Sequence, residues 1–176
     1  MPKVKVNDIQ IYYEVKGEGF PLVMIMGLGE NLDGWDPRLV EGLSKNKLVM
    51  FDNRGAGRTD ISNREYTIRL FADDTAGLMN ALGISKAHIL GISMGGMIAQ
   101  ELVLNYPEKV SKLVLCSTHS GGSKAVPPSQ KVSETLTVDP RTMSPEEWSR
   151  RIYLPLVFTD DFIEKNRDFV KLHVQK

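Results

Sequence analysis

The chain has 176 residues, with 22 Lys and Arg against 22 Asp and Glu, so its formal net charge is zero. This balance excludes the broad electrostatic footprint of a nucleic-acid or membrane-surface binder. The single cysteine excludes a disulfide framework and a four-thiolate zinc site. The length fits one domain with room for a small insertion.

The apolar runs are short and the first residues are polar. The longest runs, such as residues 21–26, fall far short of the ~20 residues needed to cross a bilayer. Residues 1–5 lead directly into a polar alternating segment without a signal-peptide pattern. We therefore expect a cytoplasmic protein with no membrane or nucleic-acid partner.

The first 20 residues have the pattern of a β-hairpin. Apolar and polar residues alternate from Val4 to Val15, and Asn7-Asp8 supplies the turn. Beyond residue 19 the strands become short and continuously apolar, which is typical of a sheet covered on both faces. These runs are Leu22–Met26, Leu48–Phe51, His88–Leu90 and Leu113–Cys116.

Helices are predicted between these strands. They are one with Trp35, Leu39, Val40 and Leu43 on a shared face, one through residues 70–82 that stops at Gly83, and one through residues 97–106. Strands that alternate with helices imply right-handed crossovers and parallel pairing. We therefore predict an α/β fold with a mostly parallel, doubly wound sheet and an antiparallel hairpin on its edge.

The composition changes near residue 119. Residues 120–129 are rich in Gly, Pro and Ser, and only helical signals follow them. Ser144-Pro145-Glu146-Glu147 has the pattern of an N-cap, a proline and an acidic first turn. Asp160–Gln175 has the pattern of one charged helix. We predict a core domain over residues 1–119 and a helical segment over residues 120–176.

The segment Gly91-Ile92-Ser93-Met94-Gly95-Gly96 carries the strongest chemical signal. It lies between a buried strand and a helix. In such a G-x-S-x-G turn the serine is held in a strained conformation, and only small neighbours let the backbone turn so tightly. The hydroxyl then stands at the carboxyl end of the sheet, above a helix N-terminus that favours negative charge. This context predicts that Ser93 is a nucleophile.

A second turn, Met26-Gly27-Leu28-Gly29-Glu30-Asn31, follows the strand at residues 22–25. Its glycines allow the backbone to approach a ligand closely. An N–H from this loop, with the N–H after Ser93, would stabilise a tetrahedral oxyanion. The stretch also imitates a dinucleotide fingerprint, with Asp52 about 20 residues on, but the third glycine position is Leu32. A nucleotide site is therefore the weaker interpretation.

Asp52–Asp60 (DNRGAGRTD) is the third marked segment. We expect it to be a polar loop made rigid by Asp–Arg pairs rather than a direct participant in catalysis.

Taken in order, these three segments resemble the α/β-hydrolase superfamily, in its esterase, enol-lactonase and cofactor-free haloperoxidase-like branch. The resemblance implies that Ser93 is the nucleophile and that Leu28 and Met94 donate the oxyanion-hole N–H groups, without a cofactor or metal. Met26 stands where the family usually has histidine, and Thr59 where it has serine. Residues 113–118 resemble the sixth strand of the family, and the chain from about residue 120 resembles the start of its helical cap.

The general base and its orienting acid are not found in this pattern. A serine hydroxyl needs both, and the family takes them from loops after strands 7 and 8, which are not predicted here. His88 opens the strand that ends near Ser93, His119 follows strand 6 without an acidic neighbour, and His173 lies in a cap helix. We expect all three to be structural or surface residues, and the chain to be truncated before strand 7, completed by a second polypeptide, or an unusual minimal form.

These observations predict a serine-dependent carboxylic-ester hydrolase, acting on a small-molecule ester or lactone, whose catalytic set is only partly present. The alternatives are a non-catalytic ligand-binding module or inactive fragment on the same fold, and a cofactor-free perhydrolase or haloperoxidase-like activity at the same serine. Without strand 7, strand 6 would be an uncovered apolar edge, so we expect the isolated chain to associate with itself or with another chain.

Overall fold

The computed structural model describes residues 2–123, 125–139 and 142–174. The strands are β1 (Lys3–Val6), β2 (Ile9–Lys16), β3 (Pro21–Ile25), β4 (Lys47–Phe51), β5 (Ala87–Ile92) and β6 (Val110–Cys116). The helices are α1 (Pro37–Gly42), α2 (Ile68–Ala81), α3 (Met94–Asn105), α4 (Gln130–Leu136), α5 (Pro145–Trp148), α6 (Leu154–Val157), α7 (Asp160–Lys165) and α8 (Arg167–Val174). Short 3-10 turns lie at Leu32–Gly34 and Pro107–Lys109, and a π-helical turn lies at Ser149–Tyr153.

The strands form one six-stranded sheet in the order β1-β2-β4-β3-β5-β6. β2 pairs antiparallel with β1 and with β4, whereas β4, β3, β5 and β6 pair parallel in that spatial order. The predicted fold is thereby confirmed: it is α/β with a mostly parallel sheet and an amino-terminal antiparallel hairpin. Parallel pairing places the carboxyl ends of β3, β4, β5 and β6 at one edge of the sheet, where the marked loops begin.

The strands are continuously apolar because a separate hydrophobic core lies on each face of the sheet. One face of the sheet, with Val23, Ile25 and Ile89, packs with residues of α2 and α3. The other face, with Leu22 and Met24, packs with residues of the 3-10 turn after β3 and of α1. Because successive residues of a strand point to opposite faces, both sets are buried and no polar alternation remains in the sequence.

The starts of α1 and α3 differ from the sequence prediction. α1 excludes Trp35, whose backbone is extended, and begins after the Asp36 N-cap, whose carboxylate accepts from the Arg38 N–H at 2.8 Å. α3 begins at Met94 rather than Met97, since its first turn contains glycines that carry no amphipathic signal.

The single charged helix predicted for Asp160–Gln175 is wrong. It is divided into α7 and α8 at Asn166, which has φ −125° and ψ 42°. The Phe162 carbonyl accepts from both the Asn166 backbone N–H, at 3.0 Å, and the Asn166 side-chain amide, at 2.9 Å, so both bonds close α7 at this residue. Gln175 lies outside the described residues.

The chain divides into two compact units, Met1–Ala125 and Val126–Lys176. The first contains the sheet with α1 to α3, and the second contains α4 to α8. In the second unit, the rings of Phe158, Phe162 and Phe169 form an aromatic cluster with centroids 5.0–5.9 Å apart. Within the described ranges, none of the helices has the length and apolar character that a membrane crossing requires.

Candidate active site

Ser93 occupies the single-residue turn between β5 and α3. Its backbone has φ 54° and ψ −121°, a combination that residues with a Cβ rarely adopt. Such conformations cost roughly 1–3 kcal/mol and persist where the surroundings enforce them, often at functional sites. The structure therefore holds Ser93 in the strained turn that its sequence context predicts.

The small residues around Ser93 are required by close backbone contacts. A Cβ on Gly91 would overlap the Gly95 carbonyl, and a Cβ on Gly95 would overlap the Ile25 carbonyl of the adjacent strand. A Cβ on Gly96 would lie 2.5 Å from Cγ2 of Thr118. The turn can therefore pack against its neighbours only with glycine at these positions.

The loop after β3 lies beside the serine side chain. β3 and β5 are parallel neighbours with Ile25 opposite Gly91, so both chains leave the sheet at the same level. A Cβ on Gly27 would lie 3.2 Å from Ser93 Cβ and 3.7 Å from Ser93 Oγ. The structure thus brings together the two segments that contain Leu28 and Met94. Outside the helices and strands, no backbone hydrogen bond of the described residues uses the N–H of Leu28. Met94 is the first residue of α3, and a helix leaves the N–H groups of its first turn without an intrahelical acceptor.

Two buried side chains that follow β4 hold this loop. The Asp52 carboxylate is fully buried and accepts from the Leu32 N–H at 2.8 Å and from the Arg58 N–H at 2.8 Å. The Asn53 side-chain amide donates to the Met26 carbonyl at 3.1 Å. Sequence reasoning missed this contact with the glycine loop. The available signal was an Asp-Asn pair placed directly after a buried strand.

Arg54 joins the loop after β4 to two other elements. Its guanidinium donates to both carboxylate oxygens of Asp74 in α2, at 2.7 and 2.8 Å, and to those of Asp8 in the hairpin turn, at 2.8 and 3.0 Å. These bonds lower the pKa of Asp8 from its ordinary 3.8 to about 2. Asp8 and Asp74 lie outside the segment Asp52–Asp60, whose own Asp–Arg pair is Arg58 Nε with the Asp52 carboxylate at 3.2 Å.

The described histidines lie away from the serine hydroxyl or are engaged elsewhere. His88 is the second residue of β5, at the end opposite Ser93, and its ring contacts Phe20 with centroids 4.6 Å apart. His119 is exposed, and its Nδ1 accepts from the Gly121 N–H at 2.9 Å. The side chain of His173 lies outside the described part of the chain. Across the described residues, Ser93 Oγ has no hydrogen-bond partner, and no three His, Cys, Asp or Glu residues are grouped to hold a metal ion.

Comparison with known families agrees with this architecture. A family model described as the alpha/beta hydrolase fold matches residues 21–164, which is most of the chain. The chain therefore belongs to the α/β hydrolase family, and the resemblance drawn from its three glycine-containing segments is confirmed.

The chain is similar to particular curated relatives and solved structures of this family. The chain is 31% identical over 115 residues to RutD of Azorhizobium caulinodans, named as a carbamate hydrolase, and 40% identical over 113 residues to BpoC of Mycobacterium tuberculosis, named as a non-heme bromoperoxidase. These matches cover 65% and 62% of this chain but 43% and 42% of the relatives. The solved enol-lactonase from Burkholderia xenovorans LB400 is 27% identical with a TM-score of 0.79, over 99% of this chain and 66% of that one. The chain thus spans less than half of the two curated relatives and about two thirds of the solved structure.

Proposed function

We propose that this chain provides the nucleophile and the oxyanion hole of a serine-dependent carboxylic-ester hydrolase of the esterase or lactonase type. The observation that carries the proposal is the position of Ser93. It occupies a strained strand-to-helix turn. The Gly27 loop lies so close that a Cβ on Gly27 would be 3.2 Å from Ser93 Cβ. A strained, glycine-packed serine beside a second loop with available N–H groups is the arrangement that acyl transfer requires.

In this reaction Ser93 Oγ attacks the acyl carbon while a general base takes the hydroxyl proton. The N–H groups of Leu28 and Met94 hold the oxyanion of the tetrahedral intermediate, and the N-terminal end of α3 adds a favourable dipole. The intermediate then collapses, the base returns its proton to the leaving alcohol, and water hydrolyses the acyl-serine. We propose that the histidine base and its orienting acid come from outside these 176 residues.

The names of the relatives support a small-molecule substrate with an acyl group. Carbamate hydrolase and enol-lactonase both describe attack on a carbonyl carbon. An ester or lactone is therefore the substrate class that we propose. We also propose a cytoplasmic location. The comparisons give no support for a second polypeptide as the source of the missing base and acid.

A fluorophosphonate probe tests the nucleophile. Ser93 Oγ would attack phosphorus and expel fluoride, which adds the probe phosphonyl group to the chain, and intact mass spectrometry would record the increase. We expect labelling in any assembly that contains the base, and we expect Ser93→Ala to abolish both labelling and ester turnover. Ser120→Ala, at an exposed loop serine, is the matched control. Turnover that survives Ser93→Ala would remove Ser93 from this role.

Two other functions each have a supporting observation. The lack of a hydrogen-bond partner for Ser93 Oγ among the described residues favours a non-catalytic binding module, which would bind an apolar ester or acid saturably without hydrolysis. The name of BpoC favours a perhydrolase or haloperoxidase-like activity at the same serine. That activity would be detected as peroxide-dependent oxidation in acetate buffer, lost in Ser93→Ala.

A further inference from the structure

The last residue of β6 and the segment after it hold both backbone groups of Ser93. The Ser93 N–H donates to the Cys116 carbonyl at 3.0 Å, and the Thr118 hydroxyl donates to the Ser93 carbonyl at 2.7 Å. Between these two residues, Ser117 has φ 46°, an uncommon backbone conformation for a residue with a side chain. The chain therefore turns sharply at Ser117, and this turn brings the Thr118 side chain onto the strained serine.

Thr118 also packs against the first turn of α3. Its Cγ2, Cβ and Oγ1 lie 2.5, 2.6 and 2.7 Å from the position that a Cβ on Gly96 would occupy. The Gln100 side-chain amide donates to both the Gly96 carbonyl and the His119 carbonyl, at 3.1 Å each. The glycine at position 96 and the threonine at position 118 thus fit each other, and Gln100 reinforces the contact.

We propose that Thr118 is a positioning residue for the nucleophile, a role that rests on the proposed function of Ser93. The Ser93 carbonyl also accepts from the Gly96 and Met97 N–H groups, but these belong to α3 and move with it. Thr118 belongs to the neighbouring strand connection. Its hydroxyl therefore fixes the direction of the Ser93 peptide relative to the sheet, and so the direction of Ser93 Oγ relative to the Gly27 loop.

Hydrogen exchange tests this role without requiring turnover. Thr118→Val removes the hydroxyl and keeps the shape, whereas Thr118→Ser keeps the hydroxyl and removes the methyl group. A hydrogen bond of ordinary strength predicts that amides in the peptide 92–97 exchange about threefold to tenfold faster in Thr118→Val. Thr118→Ser should stay within about twofold of the original protein, because the donor is kept. The peptide 48–53, from β4 and the two residues after it, should exchange at the same rate in all three proteins.

A second readout links the bond to reactivity. In the assembly that the probe labels, we expect Thr118→Val to slow labelling of Ser93 by about threefold to tenfold and Thr118→Ser to restore it. A merely structural role would change the exchange of peptide 48–53 as well and would not distinguish the two variants. Thr118→Ala provides a second loss variant should Thr118→Val fail to fold.

The outcomes separate this proposal from the proposed function. If the original protein is never labelled in any assembly, the proposed function fails, yet the exchange comparison still decides whether Thr118 holds the turn. Exchange of peptide 92–97 that is unchanged in Thr118→Val, or equally fast in Thr118→Val and Thr118→Ser, would overturn the role of Thr118. So would labelling at the original rate in Thr118→Val.

Discussion

At the scale of single residues, the site depends on close approaches that leave no space for side chains. Gly27 is the clearest example because its φ is not in the left-handed region, so alanine there meets no penalty for a positive φ. Any effect of a substitution there must come from contact with neighbouring atoms. The nearest atom to a Cβ on Gly27 is Ser93 Cβ, at 3.2 Å, followed by the Ile92 carbonyl oxygen at 3.5 Å.

We therefore predict that Gly27→Ala displaces the loop from the serine. A misplacement near 1 Å at a reacting centre can cost about 10²-fold in rate, so we expect labelling of Ser93 to slow at least about tenfold, with little change in melting temperature. Gly42→Ala is the matched control, because a Cβ at Gly42 meets nothing within 4 Å. Labelling at the original rate in Gly27→Ala would contradict the proposed contact between the loop and the hydroxyl.

At the scale of elements, Arg54 connects β4, the hairpin turn and α2. Its side chain is fully buried, and so is nearly all of the Asp74 carboxylate with which it pairs. Removing one partner of a buried pair leaves an uncompensated charge, which typically costs about 3–5 kcal/mol. The effect of Arg54 on the free energy of unfolding therefore includes the cost of leaving a buried charge unpaired, as well as the loss of the Arg54–Asp74 attraction.

Arg54→Met should therefore lower the free energy of unfolding by about 3–5 kcal/mol in urea titrations. Arg150→Met removes an exposed pair with Glu146 one helical turn away, and its expected cost is below about 1 kcal/mol. Equal costs for the two substitutions would show that Arg54 does not stabilise the junction of these elements.

The pairing of Asp8, in the hairpin turn, with Arg54 should make the free energy of unfolding depend on pH. The Arg54 guanidinium lowers the pKa of Asp8 from 3.8 to about 2, so the folded protein favours the ionised carboxylate. A lowered folded pKa contributes stability that is complete above about pH 4 and is lost as the pH falls towards about 2. Asp8→Asn removes this contribution with little change in shape.

We predict that Asp8→Asn is less stable than the original protein at pH 5–7 and that the difference narrows as the pH falls below about 4. Urea unfolding at a series of pH values measures it. Asp161→Asn, from an exposed pair with Lys165, controls for the change in net charge. A difference that stays constant from pH 6 to pH 3 would rule out the Asp8–Arg54 interaction as its cause.

Sequence patterns predicted elements well where burial alone determines them. β3, β4 and β5 were predictable because both faces of each are covered, and α2 because one face packs on the sheet while Gly83, with φ 67°, follows its end. The patterns failed where one polar side chain decides the outcome. The predicted charged helix divides at Asn166, whose side-chain amide bonds the Phe162 carbonyl, and no periodicity records such a bond.

At the scale of the whole molecule, the same distinction applies to the candidate site. Ser93 and the Gly27 loop were predictable because parallel strands deliver their loops to one edge of the sheet. The contacts of Asp52 with Leu32 and of Thr118 with Ser93 were not, since they depend on the directions of side chains where strands end. The groups that would react are therefore easier to predict from the sequence than the side chains that hold them in place.

β6 is an apolar strand at the edge of the sheet. Among the described strands it pairs only with β5, and Val114 and Leu115 on its two faces are 46% and 42% exposed. Unpaired N–H and C=O groups beside apolar side chains favour pairing with another chain. We therefore predict that the isolated 176-residue chain sediments as associated species rather than as a monodisperse monomer.

Charge on the edge strand should reverse this association, because lysine side chains on the faces of β6 lose hydration when the faces of another sheet edge come beside them. We expect Val114→Lys with Leu115→Lys to shift sedimentation towards the monomer. Ile61→Lys is the matched control: Ile61 is 79% exposed but lies in the loop after β4, away from the edge, so its substitution should leave association unchanged. A monodisperse original chain would contradict the prediction outright, whereas an equal effect of Ile61→Lys would assign the association to general surface hydrophobicity instead of β6.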